Sequence, residues 1–263
     1  MFCIFNIQER KKKLFKKNPP YRTEKVIIPK KAVFEKLTAF SYNGKTDFNA
    51  VKGHLHSYSK WLVLSENCVL PENSGLFAFR SNKLYSQMLF NSLVKIFSSS
   101  NAAFCRLSLL IIDKTGDFSS RLSELVSFAG RITVMTENSL KYNYCAEEIF
   151  DEYGAVVNVI DYNSRMPDAF VTLSLTEGSR YSLCIMIKNS LQGGKVRLTG
   201  GDFTLPFELA KYKPDEVDNY AFASALYSLC SVKELGKIAF DCLRCNSRSI
   251  MYESAVKMLD TIE

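Results

Sequence analysis

No apolar run in this 263-residue sequence approaches the roughly 20 residues that a membrane-spanning helix needs, so no transmembrane segment is expected. The short apolar run at the start precedes the positive charges, whereas a secretory signal has the opposite order and a longer apolar centre. The eight cysteines are scattered and mostly have apolar neighbours, which is typical of buried thiols in a reducing compartment. We therefore expect a cytoplasmic protein.

Metal-ligating side chains are also scarce. The only two histidines, His54 and His56, would share one face of an extended segment, but no carboxylate accompanies them nearby, which favours an exposed polar strand face over a metal site. Cys242 and Cys245 form a lone C-x-x-C in a segment expected to be helical, and structural zinc needs four ligands. No G-x-S-x-G, Walker sequence or zinc-protease helix is present. The sequence thus predicts no metal centre and none of these catalytic classes.

Positive charge is concentrated at the N-terminus. Residues 1–36 hold eleven Lys or Arg and three Glu, whereas the other 227 residues hold 23 basic and 24 acidic side chains. Because a lysine run and a Pro pair dominate this region, we expect residues 1–24 to form a basic mobile arm. An acidic partner, either nucleic acid or an anionic surface, is a candidate for residues 10–31. A simply solvated tail is the alternative.

The clearest pattern along the chain runs from residue 105 to residue 174. Three apolar runs there are separated by amphipathic segments that end at Gly130 and Gly154. The runs lie at 107–113, 132–136 and 155–160. Their apolar residues are consecutive and do not alternate, as expected of parallel strands covered on both faces. With a fourth run at 168–174, the β-α-β-α-β pattern predicts the unit from which nucleotide-binding parallel sheets are built.

The flanking sequence has a different pattern. Residues 25–100 alternate short apolar runs with turn signals and end in a helix over 81–97, which predicts an N-terminal α+β region. The β-α-β-α-β block covers residues 101–178. Residues 179–263 predict a C-terminal β-plus-helix region that packs on the block. The expected fold class is therefore α/β, with a parallel sheet at its centre and these two flanking regions.

Two polar loops in the block carry a family resemblance. The second strand runs into the short turn Thr136-Glu137-Asn138, and a later strand opens with Asp168 and leads to the loop Thr176-Glu-Gly178. These features resemble the nucleotide-binding domain of the Rossmann-type dehydrogenases, nearest the shikimate dehydrogenase-like branch. The resemblance covers residues 105–174. It implies a Rossmann-like fold, NAD or NADP as the cofactor, and hydride transfer as the activity.

The turn after the first strand departs from that family. When this turn is aligned with the G-x-G-x-x-G motif, the three glycine positions of the motif are occupied by Asp113, Thr115 and Phe118. Gly116 does not coincide with any of them. Side chains there obstruct close approach of a pyrophosphate, and Asp113 and Asp117 add negative charge beside it. The Lys and Asp pair that serves shikimate dehydrogenases as acid and base is not found by motif in residues 25–100. We expect Asp117 to cap the helix that follows.

The same turn resembles a second motif. Asp113-Lys-Thr-Gly116 is similar to the phosphorylated aspartate motif of P-type ATPases and their haloacid dehalogenase-like relatives. However, Asp117 stands where that motif continues with Thr, and helical spacing begins at once. An acidic strand end that caps a helix is therefore favoured over phosphoryl transfer.

These observations favour a non-catalytic binding or regulatory protein that has the fold but a degenerate nucleotide site. The alternatives are an NAD(P)-linked oxidoreductase of shikimate dehydrogenase type, and an interaction protein that uses its basic arm. A small-molecule ligand would bind in the crevice at the carboxyl ends of the strands. The candidate binding residues there are Asp113, Lys114, Thr115, Gly116, Thr136, Glu137, Asn138 and Ser174. No catalytic residue and no metal ligand is assigned.

Overall fold

The computed structural model describes residues 1–11, 19–72, 74–102, 107–178, 182–189 and 194–260. The chain divides into two compact units, and each is discontinuous in sequence. The first unit comprises Met1–Leu84 and Thr204–Gly236, and the second comprises Tyr85–Phe203 and Lys237–Glu263. This division differs from the four segments expected from the sequence, since residues 204–236 return to the N-terminal unit.

The secondary structure alternates between strands and helices. The strands are β1 (Phe2–Arg10), β2 (Tyr21–Ile28), β3 (Ala32–Tyr42), β4 (Lys45–Thr46), β5 (Leu62–Leu64), β6 (Ser108–Ile112), β7 (Arg131–Thr136), β8 (Val157–Asp161), β9 (Val171–Ser174), β10 (Cys184–Asn189), β11 (Gly194–Gly200), β12 (Leu243–Cys245) and β13 (Arg248–Ile250). The α-helices are α1 (Phe48–His56), α2 (Lys83–Ser98), α3 (Ser139–Tyr153), α4 (Phe207–Ala210), α5 (Asn219–Cys230) and α6 (Tyr252–Asp260). Ser119–Phe128 and Lys233–Lys237 are 3₁₀-helical. Within the described ranges, no helix has both the length and the apolar character to cross a bilayer.

The first unit is built on a sheet with the strand order β2-β3-β1-β5, and β4 pairs with β3. β1 lies parallel to both β3 and β5, whereas β2 is antiparallel to β3. The side chains of Phe2, Cys3, Ile4 and Phe5 are all fully buried. Four consecutive apolar residues suit a central strand that is covered on both faces.

The predicted mobile arm is wrong at both of its described ends. Phe2–Arg10 is the strand β1, and residues 21–24 open the edge strand β2. The reason is that the apolar residues at the start of the chain pair with β3 and β5, which are distant in sequence. The local pattern of charge and proline does not predict this pairing. Residues 12–18, which hold most of the lysine run, lie outside the described residues.

The second unit is built on a sheet with the order β13-β12-β11-β10-β9-β6-β7-β8. The strands β9, β6, β7 and β8 are parallel, with Leu109 opposite both Ile132 and Val171. Counted from β8, this is a third-second-first-fourth order, in which β8, β7 and β6 correspond to one half of a doubly wound sheet and β9 to the first strand of the other half. The predicted β-α-β-α-β block is confirmed, and the fold is a Rossmann-like α/β fold.

The two connections within the block differ in kind. α3 ends as predicted at Gly154, whose φ of 64° is the left-handed conformation that favours glycine. The first connection is a 3₁₀ helix, Ser119–Phe128, that ends at the extended residue Ala129. Four of its ten residues are serine, and serine side chains compete with the backbone for hydrogen bonds and weaken an α-helix.

Two local predictions are corrected by the structure. His54 and His56 lie in the last turn of α1, not on an extended segment. Cys242 and Cys245 lie at a β-hairpin formed by β12 and β13, not in a helix. Cys242 there lies 3.6 Å from a carboxylate oxygen of Asp202, a residue of the β11–α4 connection.

Because β1 is buried, truncation of one of its side chains should lower the free energy of unfolding. Phe5 packs in a cluster with Leu37 and Leu55, so Phe5→Ala should lower the free energy of unfolding by about 3–5 kcal/mol through lost apolar contact and a cavity. Ile27→Ala, at a 59% exposed position of β2, is the matched control and should cost less than about 1 kcal/mol. Urea titrations of both variants measure the difference. Equal small losses would contradict a buried β1.

Candidate functional site

The turn after β6 is organised around the carboxylate of Asp113. This residue is 2% exposed, and its own N–H extends the β6–β7 ladder by donating to the Met135 carbonyl. The carboxylate accepts the N–H of Gly116 at 3.2 Å and the N–H of Phe118 at 2.9 Å. The Tyr142 hydroxyl, from α3, donates to it at 2.8 Å. A buried anion is thus paired with donors from two elements.

These two N–H groups lie at the strand-to-helix turn, where a nucleotide-binding fold presents its amides to phosphate. In this chain they bind an internal carboxylate. Phe118 is the residue just before the 3₁₀ helix, and its side chain makes no capping hydrogen bond, whereas its own N–H is held by Asp113. The prediction that Asp117 caps this helix is wrong, because the Asp117 carboxylate instead accepts the Thr115 hydroxyl at 2.8 Å.

Gly116 holds this turn against the start of α3. Its φ of 73° is a left-handed conformation, which side-chain-bearing residues rarely adopt. A Cβ atom added at Gly116 would lie 3.2 Å from both Asn138 Cβ and Lys141 Cδ. The glycine is therefore used for close packing within the protein, at a point out of register with the dinucleotide-binding pattern.

The loops after β6, β7 and β9 are joined through the main chain of Lys114. Its N–H donates to Thr176 Oγ1 at 2.8 Å, and its carbonyl accepts the Glu137 N–H at 3.1 Å and the Thr136 hydroxyl at 3.3 Å. Asn138 N–H in turn donates to Thr136 Oγ1 at 3.0 Å. The polar groups of these loops are mostly satisfied by one another.

All eight predicted binding residues lie at the same edge of the sheet. Ser174 lies opposite Ile112 in the β6–β9 register, and its hydroxyl is 3.4 Å from the Thr176 carbonyl oxygen. Thr136 and Ser174 are each 1% exposed. Lys114 Nζ forms a half-exposed ion pair with Glu137 at 3.3 Å. That these residues bind a cofactor stays a prediction.

Tyr142 is the residue that the sequence did not single out. Burial, and then the negative charge of Asp113, raise the pKa of the Tyr142 phenol far above its ordinary value. The phenol therefore stays protonated and acts as a hydrogen-bond donor to Asp113. Its helical position 29 residues further along gave no local signal of this contact. Only the parallel pairing of β6 with β7 brings the start of α3 beside the turn.

A second polar cluster lies in the first unit, on Glu35 of β3. Its carboxylate lies 2.8 Å from His54 Nε2 and accepts the Tyr58 hydroxyl at 2.7 Å. The fold thus supplies the carboxylate that the sequence around His54 lacks. Burial, followed by the hydrogen bond to Glu35, raises the pKa of Tyr58 to about 12. Among the described residues, no group of three or more His, Cys, Asp or Glu side chains is placed to hold a metal ion.

Comparison with known proteins adds little to this geometry. No protein-family model matches the chain, and no curated protein matches its sequence. Among solved structures, the chain is similar to L-tryptophan dehydrogenase from Nostoc punctiforme, with 10% sequence identity and a TM-score of 0.26. The match covers 53% of this chain and 44% of that chain, which is less than half of the dehydrogenase. Strand order and register define the Rossmann-like fold of the second unit.

Replacing the Asp113 carboxylate should lower the stability of the folded protein. Asp113→Asn keeps the side-chain shape but offers one acceptor oxygen to three nearby donors and directs an amide N–H₂ at them. We expect a loss of about 1–3 kcal/mol in the free energy of unfolding. Asp117→Asn, at an exposed position of the same turn, should change it by less than about 0.5 kcal/mol. Urea midpoints of the two variants make the comparison, and equal effects would refute the structural role of Asp113.

The thiol of Cys3 should be unreactive in the folded protein. Burial, and then the nearby Glu35 charge, raise the pKa of Cys3 from 9.0 to about 12, so at pH 8 almost none of it is thiolate. Iodoacetamide at pH 8 should modify half-buried Cys145 well before Cys3. In urea the two should react alike. Peptide mass spectrometry measures both sites, and equal rates in the native protein would contradict the burial of β1.

Proposed function

We propose that this chain is a non-catalytic binding or regulatory protein whose Rossmann-like unit has a degenerate nucleotide site. The observation that carries this proposal is the Asp113 carboxylate, which accepts the backbone N–H groups of Gly116 and Phe118. An internal anion takes the place that a phosphate takes in a dinucleotide-binding turn.

The size of the electrostatic effect supports this proposal. Two unit negative charges about 4 Å apart repel by about 4 kcal/mol at an effective dielectric constant of 20. Because each 1.4 kcal/mol is roughly a tenfold change in affinity, a phosphate beside the Asp113 carboxylate would bind nearly a thousandfold more weakly. The same turn without an acid would bind it favourably.

The charges at the strand ends also limit the chemical class of ligand that could bind there. A small molecule that binds at the carboxyl ends of β6, β7 and β9 would meet the exposed acids Asp117 and Glu137 and would lie near the buried charge of Asp113, with Lys114 already paired to Glu137. A neutral or cationic group suits this edge better than a phosphate. Hydride transfer by an NAD(P)-linked oxidoreductase is the competing proposal, and it requires the dinucleotide to displace the Asp113 contacts.

An acidic partner for residues 10–31 is a second candidate, and one observation favours it. Arg22, Lys25 and Lys30 are exposed along or just after the edge strand β2. Arg22, which lies 4.0 Å from Glu24, and Lys31, which forms ion pairs with Glu208 and Glu234, are less suitable than Lys25 and Lys30. Nucleic acid or an anionic surface would meet these charges from the edge of the first unit.

A ligand panel and an anion rescue test the degenerate site together. NAD, NADP, ATP and S-adenosylmethionine at millimolar concentration should leave the melting temperature of the wild-type chain unchanged. Asp113→Gly should melt at a lower temperature and recover part of the loss in about 10 mM pyrophosphate, since an anion that binds only the folded state stabilises it.

The matched control is Asp117→Gly, which changes the turn but leaves the Asp113 carboxylate in place. Pyrophosphate should not stabilise this variant or the wild-type chain. Stabilisation of the wild-type chain by NAD or NADP would instead overturn the proposal in favour of the oxidoreductase. If Asp113→Gly does not fold, Asp113→Asn serves in its place.

A further inference from the structure

The strand β8 presents an open sheet edge in the second unit. It is the last strand in the sheet order and pairs, among the described residues, with β7 alone. The N–H of Tyr162 donates to the Thr136 carbonyl of β7 at 3.0 Å. Because hydrogen-bonding direction alternates along a strand, the N–H and C=O groups of Val157 and Val159 point away from β7. These groups can receive another strand.

This edge has few of the features that usually protect one. Charged residues, proline, bulges and short length discourage pairing at sheet edges. The edge strand β2 carries Arg22 and Lys25, and the opposite edge of the second sheet, β13, has only three residues. β8 contains three apolar residues in its five, and Asp161 at its end is the only charged one.

An apolar groove lies beside this edge. It has a volume of about 600 Å³ and runs between α3 and the start of β8. Phe150 and Val156 line it, although they are 57% and 72% exposed. Because they line the same groove, they form a patch and are not scattered singly, and exposed apolar patches mark interaction surfaces.

The charge around the groove is strongly acidic. Glu147 and Asp151 line it, and α3 carries four acidic side chains against a single lysine, Lys141. A partner that fills the groove with apolar side chains must therefore also bring positive charge. A second copy of this chain paired through β8 would instead place the same acids against each other.

We propose that the β8 edge and the Phe150 groove bind an extended, lysine- or arginine-rich segment of a partner protein by strand addition. The main chain of the segment pairs with Val157 and Val159. Alternate apolar side chains enter the groove, and the basic side chains meet Glu147 and Asp151. This inference goes beyond the proposed function and does not require a ligand at the Asp113 turn.

Binding of a designed peptide to the full chain tests the proposal. The probe is a dye-labelled heptapeptide of alternating lysine and valine, and its fluorescence anisotropy is measured at low and high salt. We expect binding that weakens with salt. A peptide of alternating glutamate and valine, and a lysine-valine peptide with alternate amides N-methylated, should each bind at least tenfold more weakly.

Variants of the chain locate the site. Val159→Pro removes an outward N–H without removing a bond to β7, and Phe150→Ser removes an exposed apolar contact. Each should weaken the lysine-valine peptide at least tenfold, as should the double variant Glu147→Lys/Asp151→Lys. Glu253→Lys, at an exposed acid on α6, is a single charge reversal away from the groove and should bind as the wild type does. Circular dichroism checks that each variant is folded. If Val159→Pro does not fold, Phe150→Ser alone tests the site.

Several results would overturn the proposal. They are no binding of the lysine-valine peptide, equal binding of its N-methylated form, equal binding of the glutamate peptide, or wild-type affinity in Phe150→Ser. Dimerisation of the full chain that is lost in Val159→Pro would assign the edge to a second copy instead. None of these results depends on nucleotide binding, so failure here leaves the Asp113 proposal to its own test.

Discussion

A single buried carboxylate sets the local structure of the Rossmann-like unit. Asp113 must be paired if it is to remain inside the protein, because an unpaired buried charge is strongly unfavourable. The turn therefore bends so that the N–H groups of Gly116 and Phe118 reach it, and α3 supplies the Tyr142 hydroxyl. The start of the 3₁₀ helix and the seating of α3 both follow from satisfying that charge.

The parts of the fold that the sequence predicted are those with a local signal. Consecutive apolar residues identified β6, β7 and β8, and Gly154 marked the end of α3 because only a left-handed residue ends a helix in this way. The clustering of the eight candidate residues also followed, since parallel strands bring their carboxyl ends to one edge. The side chains at Asp113 and Thr115 predicted a departure from the dinucleotide-binding turn. They did not predict that the Asp113 carboxylate would accept the backbone N–H groups of that turn.

The parts that were not predicted depend on contacts between distant residues. Cys3 lies opposite Glu35 on one side and Leu62 on the other, and no window along the chain shows those partners together. The lysines that follow β1 suggested solvent exposure, whereas the four apolar residues before them determined burial. The contact of Tyr142 with Asp113 also joins residues that are distant in sequence. The role of Tyr142 depends on a turn 29 residues earlier in the chain, not on its own helical face.

The return of Thr204–Gly236 to the first unit has a consequence for synthesis of the chain. Phe2 and Phe34 stack at 5.1 Å, and both meet the edge of the Phe222 ring from α5. At a translation rate of roughly 5–20 residues per second, β1 leaves the ribosome about 10 to 40 seconds before its aromatic partner. During that interval the nascent N-terminus carries an incomplete core, with one of the most apolar segments in the chain uncovered. The first unit is the first to begin and cannot be completed until most of the second unit's sequence has been made.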